Sequence, residues 1–317
     1  MELKRRPKIA VLTVNPGVDR TMYFDKPLEK GEVNRAVSTN LNQGCKGANA
    51  AIVMARHGAA VTYFTYTGGP FGALYEDFLQ KEKIPLVAIP TKAGVRLNVK
   101  LSDGEGVFTE CNQSGGPVDE SEKAAMMKAL READYECLYL AGSLPKGLST
   151  DFYAECVALA RAKGVAVVAD CDGAVLVATL ENAAPDLIKP NRSEFFALIK
   201  EGDTLKEKIA AFKARYPRTK LLLSLGKNGA IYAGSAADQT LWHAPILDAP
   251  VRGTVAAGDT FLASFITAVL GGYDVKGALA VATASSTAKV QLAGTTLPTA
   301  EQMADRVDEV AVSEYKE

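Results

Sequence analysis

The chain has 317 residues, 48% of them hydrophobic, which is enough to bury one large core or two modest ones and too apolar for extensive disorder. Lys and Arg total 36 against 37 Asp and Glu, so neither nucleic acid nor a membrane surface is an expected partner, and an anionic ligand must be met by local positive charge. No run of about 18 uncharged apolar residues occurs, the amino terminus leads into a strand pattern instead of a signal h-region, and the five cysteines lack CxxC spacing, so the expectation is a cytoplasmic protein with reduced thiols.

In chain order, apolar runs bounded by turn residues predict strands at 9–14, 61–66, 137–141, 165–169, 186–188, 221–225 and 230–233. Between most of them fall apolar faces with a period near 3.6, predicting helices at 49–57, 73–82, 121–132, 150–163 and 193–200. This alternation argues for an α/β architecture with a mostly parallel sheet covered on both sides. The last third turns helical, at 257–270, 275–289 and 300–310. Two segments break the alternation: 17–40 and 95–112 read as short strands of alternating polarity, the second with a turn at Asp103-Gly104-Glu105-Gly106. The organisation expected is a single domain over 1–317, with a small β lid inserted at those two points above the carboxyl ends of the strands. Met22, Phe24 and Val37 offer the lid an apolar face, from which a homodimer is expected.

The most informative stretch is 254–265, where Thr254, Val255, Ala256, Ala257 and Gly258 lead into an apolar helix whose first turn carries Asp259. The first amides of a helix have no internal partners and sit at the positive end of its dipole, so small residues there leave a seat for a phosphate. Asp259 reads either as a cap or dipole partner, or as a base that takes a proton from a substrate hydroxyl while the neighbouring amides hold the transferring phosphoryl group. Gly44-Cys45-Lys46-Gly47-Ala48-Asn49 likewise opens a helix with small residues and one lysine. In Lys189-Pro190-Asn191-Arg192-Ser193-Glu194, Glu194 is either a Mg²⁺ ligand through water or a partner of the helix N-cap. Ser224-Leu225-Gly226 begins a strand-turn-strand, whose plain reading is a hairpin. No G-x-G-x-x-G follows the first strand, so a dinucleotide site has no physical basis.

In this order and at these separations the segments resemble the ribokinase-like (PfkB) family of ATP-dependent carbohydrate kinases over nearly the whole chain. Asn15-Pro16-Gly17-Val18-Asp19, Arg96-Leu97-Asn98-Val99-Lys100, Ala141-Gly142-Ser143-Leu144-Pro145 and 189–194 look most like the branch of 1-phosphofructokinases and tagatose-6-phosphate kinases. The resemblance implies a three-layer αβα sandwich with a β-sheet lid, and ATP and Mg²⁺ as cofactors. It implies phosphoryl transfer to a sugar phosphate, foremost fructose 1-phosphate, with tagatose 6-phosphate, fructose 6-phosphate, an unphosphorylated sugar or a nucleoside as alternative acceptors. It makes Asp259 the general base and the amides of Ala257, Gly258 and Asp259 the anion hole. Asp19, Gly44, Cys45, Lys46, Asn49 and Asn98 fall on the sugar side, Arg96 on the substrate's existing phosphate, and Asn191, Ser224, Gly226, Thr254 and Gly258 on the nucleotide side, with Glu194 toward magnesium. Two departures stand out. The family's Gly-Ala-Gly-Asp is Ala256-Ala257-Gly258-Asp259 here, and its Gly-Gly-Lys-Gly is Gly44-Cys45-Lys46-Gly47. If the first position of the catalytic turn needs φ above zero, the methyl group of Ala256 costs about 1 kcal/mol or more, and the added side chain of Cys45 stands where the sugar would approach the backbone. A sugar-phosphate-binding protein with impaired catalysis is therefore the non-enzyme alternative.

Overall fold

A computed structural model of the protein describes residues 3–103 and 108–316; positions 104–106 of the expected turn lie outside the described residues. In chain order the elements are β1 (Lys8–Thr13), β2 (Gly17–Tyr23), β3 (Ser38–Gly44), α1 (Lys46–Arg56), β4 (Ala60–Thr67), α2 (Gly72–Lys81), β5 (Leu86–Pro90), β6 (Arg96–Ser102) and β7 (Phe108–Asn112). There follow α3 (Glu120–Glu132), β8 (Cys137–Ala141), α4 (Phe152–Ala162), β9 (Ala166–Asp170), α5 (Gly173–Asn182), β10 (Leu187–Ile188), α6 (Arg192–Leu198), α7 (Leu205–Arg215) and β11 (Lys220–Ser224). The chain ends with β12 (Ala230–Ala233), β13 (Leu241–Ala244), α8 (Ala257–Leu270), α9 (Val275–Val290), α10 (Ala300–Ala304) and β14 (Ser313–Glu314).

The main sheet runs β14-β13-β12-β11-β10-β9-β8-β1-β4-β5. It is parallel from β11 through β5 and antiparallel only at the β11–β14 end. Strand β1 is buried at every position after Lys8, as a central strand covered on both faces must be. One apolar layer joins the sheet to α1, α2, α8 and α9 through residues such as Ile52, Tyr63, Leu262 and Leu279. The other joins it to α3 through α7 through Leu140, Phe152, Phe195 and Phe212. The expected α/β sandwich is therefore present. Because the chain proceeds from β1 outward to β4 and from β8 outward to β9, the loops after β1 and β8 diverge and open a crevice at their carboxyl ends.

Two helices aim their amino termini into that region from the same side of the sheet. His57, one residue past α1, is buried between Ser264 of α8 at 2.8 Å and Ser285 of α9 at 3.3 Å. Burial pushes its imidazole down to about 4, so it serves as a neutral cross-link among three helices.

The second sheet, β3-β2-β6-β7, is antiparallel at its outer pairs and parallel between β2 and β6. It arises from the two segments expected to leave the alternation, with β3 running on to Gly44 opposite Gly17. Its polarity is inverted relative to an ordinary half-buried sheet: Asn98, Lys100 and Ser102 of β6 are buried while Leu97, Val99 and Leu101 are only half-buried.

Three expectations change. The helix expected over 300–310 stops at Ala304, where Arg306 turns left-handed at φ 61 and its guanidinium binds Glu309 and the Asp248 carbonyl. The helix expected from Asn49 begins at Lys46, immediately after Cys45. Helices α5 and α7 and strands β5, β13 and β14 are additional; α5 is too uniformly apolar and α7 too rich in Lys and Glu for a clear period.

Candidate active site

At the head of α8, Ala256 takes the left-handed conformation at φ 64 that the sequence left conditional. The turn is closed by Ala257 N–H to the Thr254 carbonyl at 3.1 Å and Thr260 N–H to the Ala256 carbonyl at 2.9 Å. This corrects one expectation: the Ala257 amide is engaged by the turn, and within the first turn of α8 the amides without a backbone partner are those of Gly258 and Asp259. Asp259 itself is 9% exposed, and its Oδ2 accepts a hydrogen bond from Asn49 Nδ2 at 2.9 Å. Burial first, and the Asp170 carboxylate second, push its pKa up to about 6; Asn49, Lys46 and Lys189 oppose them. A carboxylate in that range is ionised at neutral pH yet basic enough to accept a proton.

Asp170, at the carboxyl end of β9, is 2% exposed and bracketed by two ammonium groups, Lys46 Nζ at 3.3 Å and Lys189 Nζ at 3.8 Å. Burial opposes its ionisation, but Lys189, Lys46 and the Tyr139 hydroxyl at 3.3 Å outweigh it and hold its pKa below the usual carboxylate range. Asp170 in turn is the main cause that raises the pKa of Lys46. Lys46 is therefore an ion-paired cation of the crevice and not a solvated surface lysine. A Cβ placed at Gly258 would lie 3.4 Å from Lys189 Nζ, an ordinary contact, which sets that ammonium beside the unspent amides. Two positive side chains and two free N–H groups thus converge beside one buried carboxylate, an arrangement suited to a multiply charged anion.

On the side facing the small sheet, the β2–β6 register sets Asp19 opposite Asn98, whose Nδ2 donates to Asp19 Oδ1 at 2.9 Å. Lys100, two residues further along the same face, pairs with Asp19 Oδ2 at 2.8 Å. A Cβ at Gly44 would lie 2.3 Å from Asp19 Oδ1, so only glycine admits the carboxylate here. Arg96 donates through Nη1 to the Gln113 carbonyl at 2.7 Å. Asn49 Oδ1, Asn98 Oδ1 and Arg96 Nε are buried without a protein partner, and such atoms in one region mark hydrogen-bonding capacity kept for a ligand. Cys45 turns the other way: at φ 88 and ψ 148, its Sγ meets the hydroxyls of Tyr75 at 3.1 Å and Tyr63 at 3.5 Å. Any part it plays toward a substrate belongs to its backbone.

The turn carrying Asn191 and Glu194 is a closed capping box: Asn191 Oδ1 accepts from Glu194 N–H at 2.9 Å, and Glu194 Oε2 accepts from Asn191 N–H at 2.8 Å. The helix-cap reading of Glu194 holds, and Oε1 stays available. Asn191 lies beside Ser224 in a parallel bridge, and Ser224 N–H reaches the Pro190 carbonyl at 3.1 Å. Gly226 opens the hairpin turn to β12 at φ 59 with no atom near its Cα hydrogen. Among the described residues no three His, Cys, Asp or Glu side chains gather to hold a metal. The oxygen donors present, Glu194 Oε1 foremost, fit a Mg²⁺ carried chiefly by phosphates and water, the usual manner of that ion.

The structure therefore brings Asp259 to Asn49, Asp19 to Gly44 and Asn98, and Asn191 to Ser224. Reading the sequence assigned no role to Lys100, Asp170 or Lys189. Lys100 shares the alternation of Asn98 within one strand, and Asp170 ends a strand at the crevice, so both carried a signal; Lys189 precedes Pro-Asn with none that distinguishes it from a surface lysine.

Residues 13–302 match the pfkB family of carbohydrate kinases. A 1-phosphofructokinase of Haloferax volcanii is 30% identical over 308 residues, covering 96% of this chain and 98% of that protein. Phosphofructokinase-2 of Escherichia coli, solved with fructose-6-phosphate, shares the fold at a TM-score of 0.86 and 19% identity, over 96% of this chain and 99% of that one. Its tetrameric inhibited form gives a TM-score of 0.85 at 20% identity with the same coverage. The chain belongs to the pfkB family of carbohydrate kinases.

Proposed function

We propose that the protein transfers the terminal phosphoryl group of ATP to a hydroxyl of a phosphorylated ketohexose, with fructose 1-phosphate as acceptor and fructose 1,6-bisphosphate as product. The observation that carries this reading is the buried Asp259 carboxylate, with a pKa near 6, beside the unspent amides of Gly258 and Asp259. Asp259 takes the proton of the acceptor hydroxyl, the oxygen forms its bond to the γ-phosphorus, and the bond to the bridging oxygen breaks to leave ADP. Because such a transfer needs alignment and charge stabilisation more than covalent help, one base, two amides and the Lys46 and Lys189 ammonium groups are a sufficient set. Asn49 holds Asp259 in place while its Oδ1, without a protein partner, is left for a ligand. Asp19, Gly44 and Asn98 bind sugar hydroxyls, and Arg96 grips the phosphate already present, a task suited to a guanidinium fork. Asn191, Ser224, Gly226 and Thr254 line the nucleotide side. Glu194 would hold Mg²⁺ through water, the ion offsetting charge on the phosphates.

The choice of fructose 1-phosphate is supported by the Haloferax relative's activity. Ala256 adopts the conformation demanded at its position in spite of its methyl group, which favours a working enzyme over an impaired binding protein. The whole chain acts as one kinase unit, with the sheet built from β2, β3, β6 and β7 as its lid. A second copy covers the outer face of that lid: Leu97, Val99 and Leu101 are only half-buried there, and Val37 beside it is 64% exposed, whereas Phe24 is 8% exposed and belongs to the interior. ADP release measured with fructose 1-phosphate, fructose 6-phosphate, tagatose 6-phosphate and ribose decides the acceptor. The reading predicts the highest kcat/KM for fructose 1-phosphate; equal values for ribose would remove both the acceptor assignment and the role of Arg96.

A further inference from the structure

Lys289, in the last turn of α9, is fully buried, and among the described residues no carboxylate pairs with it. Its Nζ donates instead to two backbone carbonyls just past the helix, those of Leu292 at 3.4 Å and Gly294 at 3.1 Å. A buried charge without a counter-ion is costly, so a fold keeps one only where dipoles converge on it or a task requires it. Burial pushes this ammonium down to about 8, with Asp259 pulling the other way and Lys100 adding to the fall, so it stays mainly protonated at neutral pH.

The two carbonyls it gathers are the surface against which the approach to the catalytic turn is packed. A Cβ placed on Gly253 would lie 3.3 Å from the Leu292 oxygen and within 3.4 Å of Gly294 N, so the Gly253 backbone rests directly on that loop. Arg252 and Gly253 also donate their amides to the Val290 carbonyl at 2.7 and 3.2 Å. Three residues later the chain makes the left-handed turn at Ala256, whose neighbour Ala257 accepts a hydrogen bond from Ser286 of α9 at 3.2 Å. From the other side, Thr295 of the same loop accepts a hydrogen bond from Asn42 of β3 at 2.9 Å, and Gly294 abuts the Tyr23 hydroxyl of β2.

We propose that Lys289 is a built-in cation that positions the catalytic turn: by drawing the Leu292 and Gly294 carbonyls together it fixes the loop on which Gly253 rests, and through it the height and orientation of the Gly258 and Asp259 amides. This rests on the kinase reading of Asp259. Lys289 is a positioning residue and touches no reacting atom.

The test uses the full chain, with ATP, Mg²⁺ and fructose 1-phosphate, in Lys289→Ala and Lys289→Met, with Asp259→Asn measured in parallel. Because a displacement of an ångström at a reacting centre costs about a hundredfold, Lys289→Ala is expected to lose about that much in kcat while KM for both substrates moves less than about threefold. Ammonium or potassium chloride restores Lys289→Ala by about tenfold, since a small cation occupies the vacated place between the carbonyls, and tetramethylammonium chloride at equal ionic strength does not. Lys289→Met, which keeps the bulk and occupies the place, loses kcat and gains nothing from either salt. A kcat for Lys289→Met within about threefold of wild type overturns the proposal. So does a Lys289→Ala that no cation restores, or failure of both variants to fold, because the lysine would then serve the core alone. Undiminished activity in Asp259→Asn removes the base assignment instead and leaves the cation rescue to be read on its own.

Discussion

Several helices in this protein carry an acid in the first turn, and two of them, α6 and α8, use it in opposite ways. At α6, Asn191 and Glu194 satisfy each other's backbone in a reciprocal cap, so little of that helix end is left for a ligand beyond one carboxylate oxygen. At α8, no side chain caps the helix: Ala256 is left-handed, Asp259 looks toward Asn49 and not back at its own backbone, and the Gly258 and Asp259 amides stay unspent. The same residue pattern is thus a finished structural device in one place and an open, strained site in the other. What separates them is whether a polar side chain stands at the N-cap, since Asn can spend the orphan amides and Ala cannot.

The comparison breaks most directly at Asp259. Asp259→Asn keeps the shape and removes the base, so kcat should fall by about three orders of magnitude or more with KM for ATP nearly unchanged. If the acid were only a dipole partner, steady-state assays would show turnover within tenfold of wild type. The same substitution should stabilise the fold at neutral pH. A raised carboxyl pKa contributes stability that is fully present below the unfolded value and is lost as pH rises through about 6, so replacing the ionised acid by a neutral amide recovers on the order of 3 kcal/mol near pH 7.5 and little at pH 4. Thermal melts at the two pH values check this. For the wild type, kcat/KM should climb with pH through a midpoint near 6 as Asp259 loses its proton, and a limb unchanged in position by Asn49→Ala would detach that midpoint from this carboxylate.

Smaller effects are expected elsewhere. Arg96→Ala should raise KM for the sugar phosphate about ten- to a hundredfold and leave KM for ATP alone, because one substrate loses a charge-assisted pair. Glu194→Gln preserves the capping box, which accepts either residue, so its melting temperature should hold while the Mg²⁺ concentration for half-maximal rate rises several-fold. Equal Mg²⁺ dependence in the two proteins would leave the α6 turn purely structural. The smallest effect is Ala256→Gly, which relieves a left-handed methyl-bearing residue and should add about 0.5–1 kcal/mol of stability with kcat within twofold of wild type.

Much of this was legible in the residues. Runs such as 9–14 and 137–141 are too apolar to be anything but covered strands, and the 257–270 stretch places Asp259 at a helix start without any knowledge of the fold. Positions that needed glycine were also visible as departures: Cys45 and Ala256 stand where the family's pattern has glycine, and both prove to hold positive φ. Local chemistry decides these features, because hydrophobic period, capping and backbone freedom act within a few residues. Only the tertiary structure could decide which charges meet. Asp170 with Lys46 and Lys189, Asp19 with Lys100, and Gly253 with the loop that Lys289 holds join segments from separate strands and helices. A charged side chain reads the same in sequence whether solvated or buried, and its partner, its protonation and its task are set by the low-dielectric neighbourhood that folding builds around it.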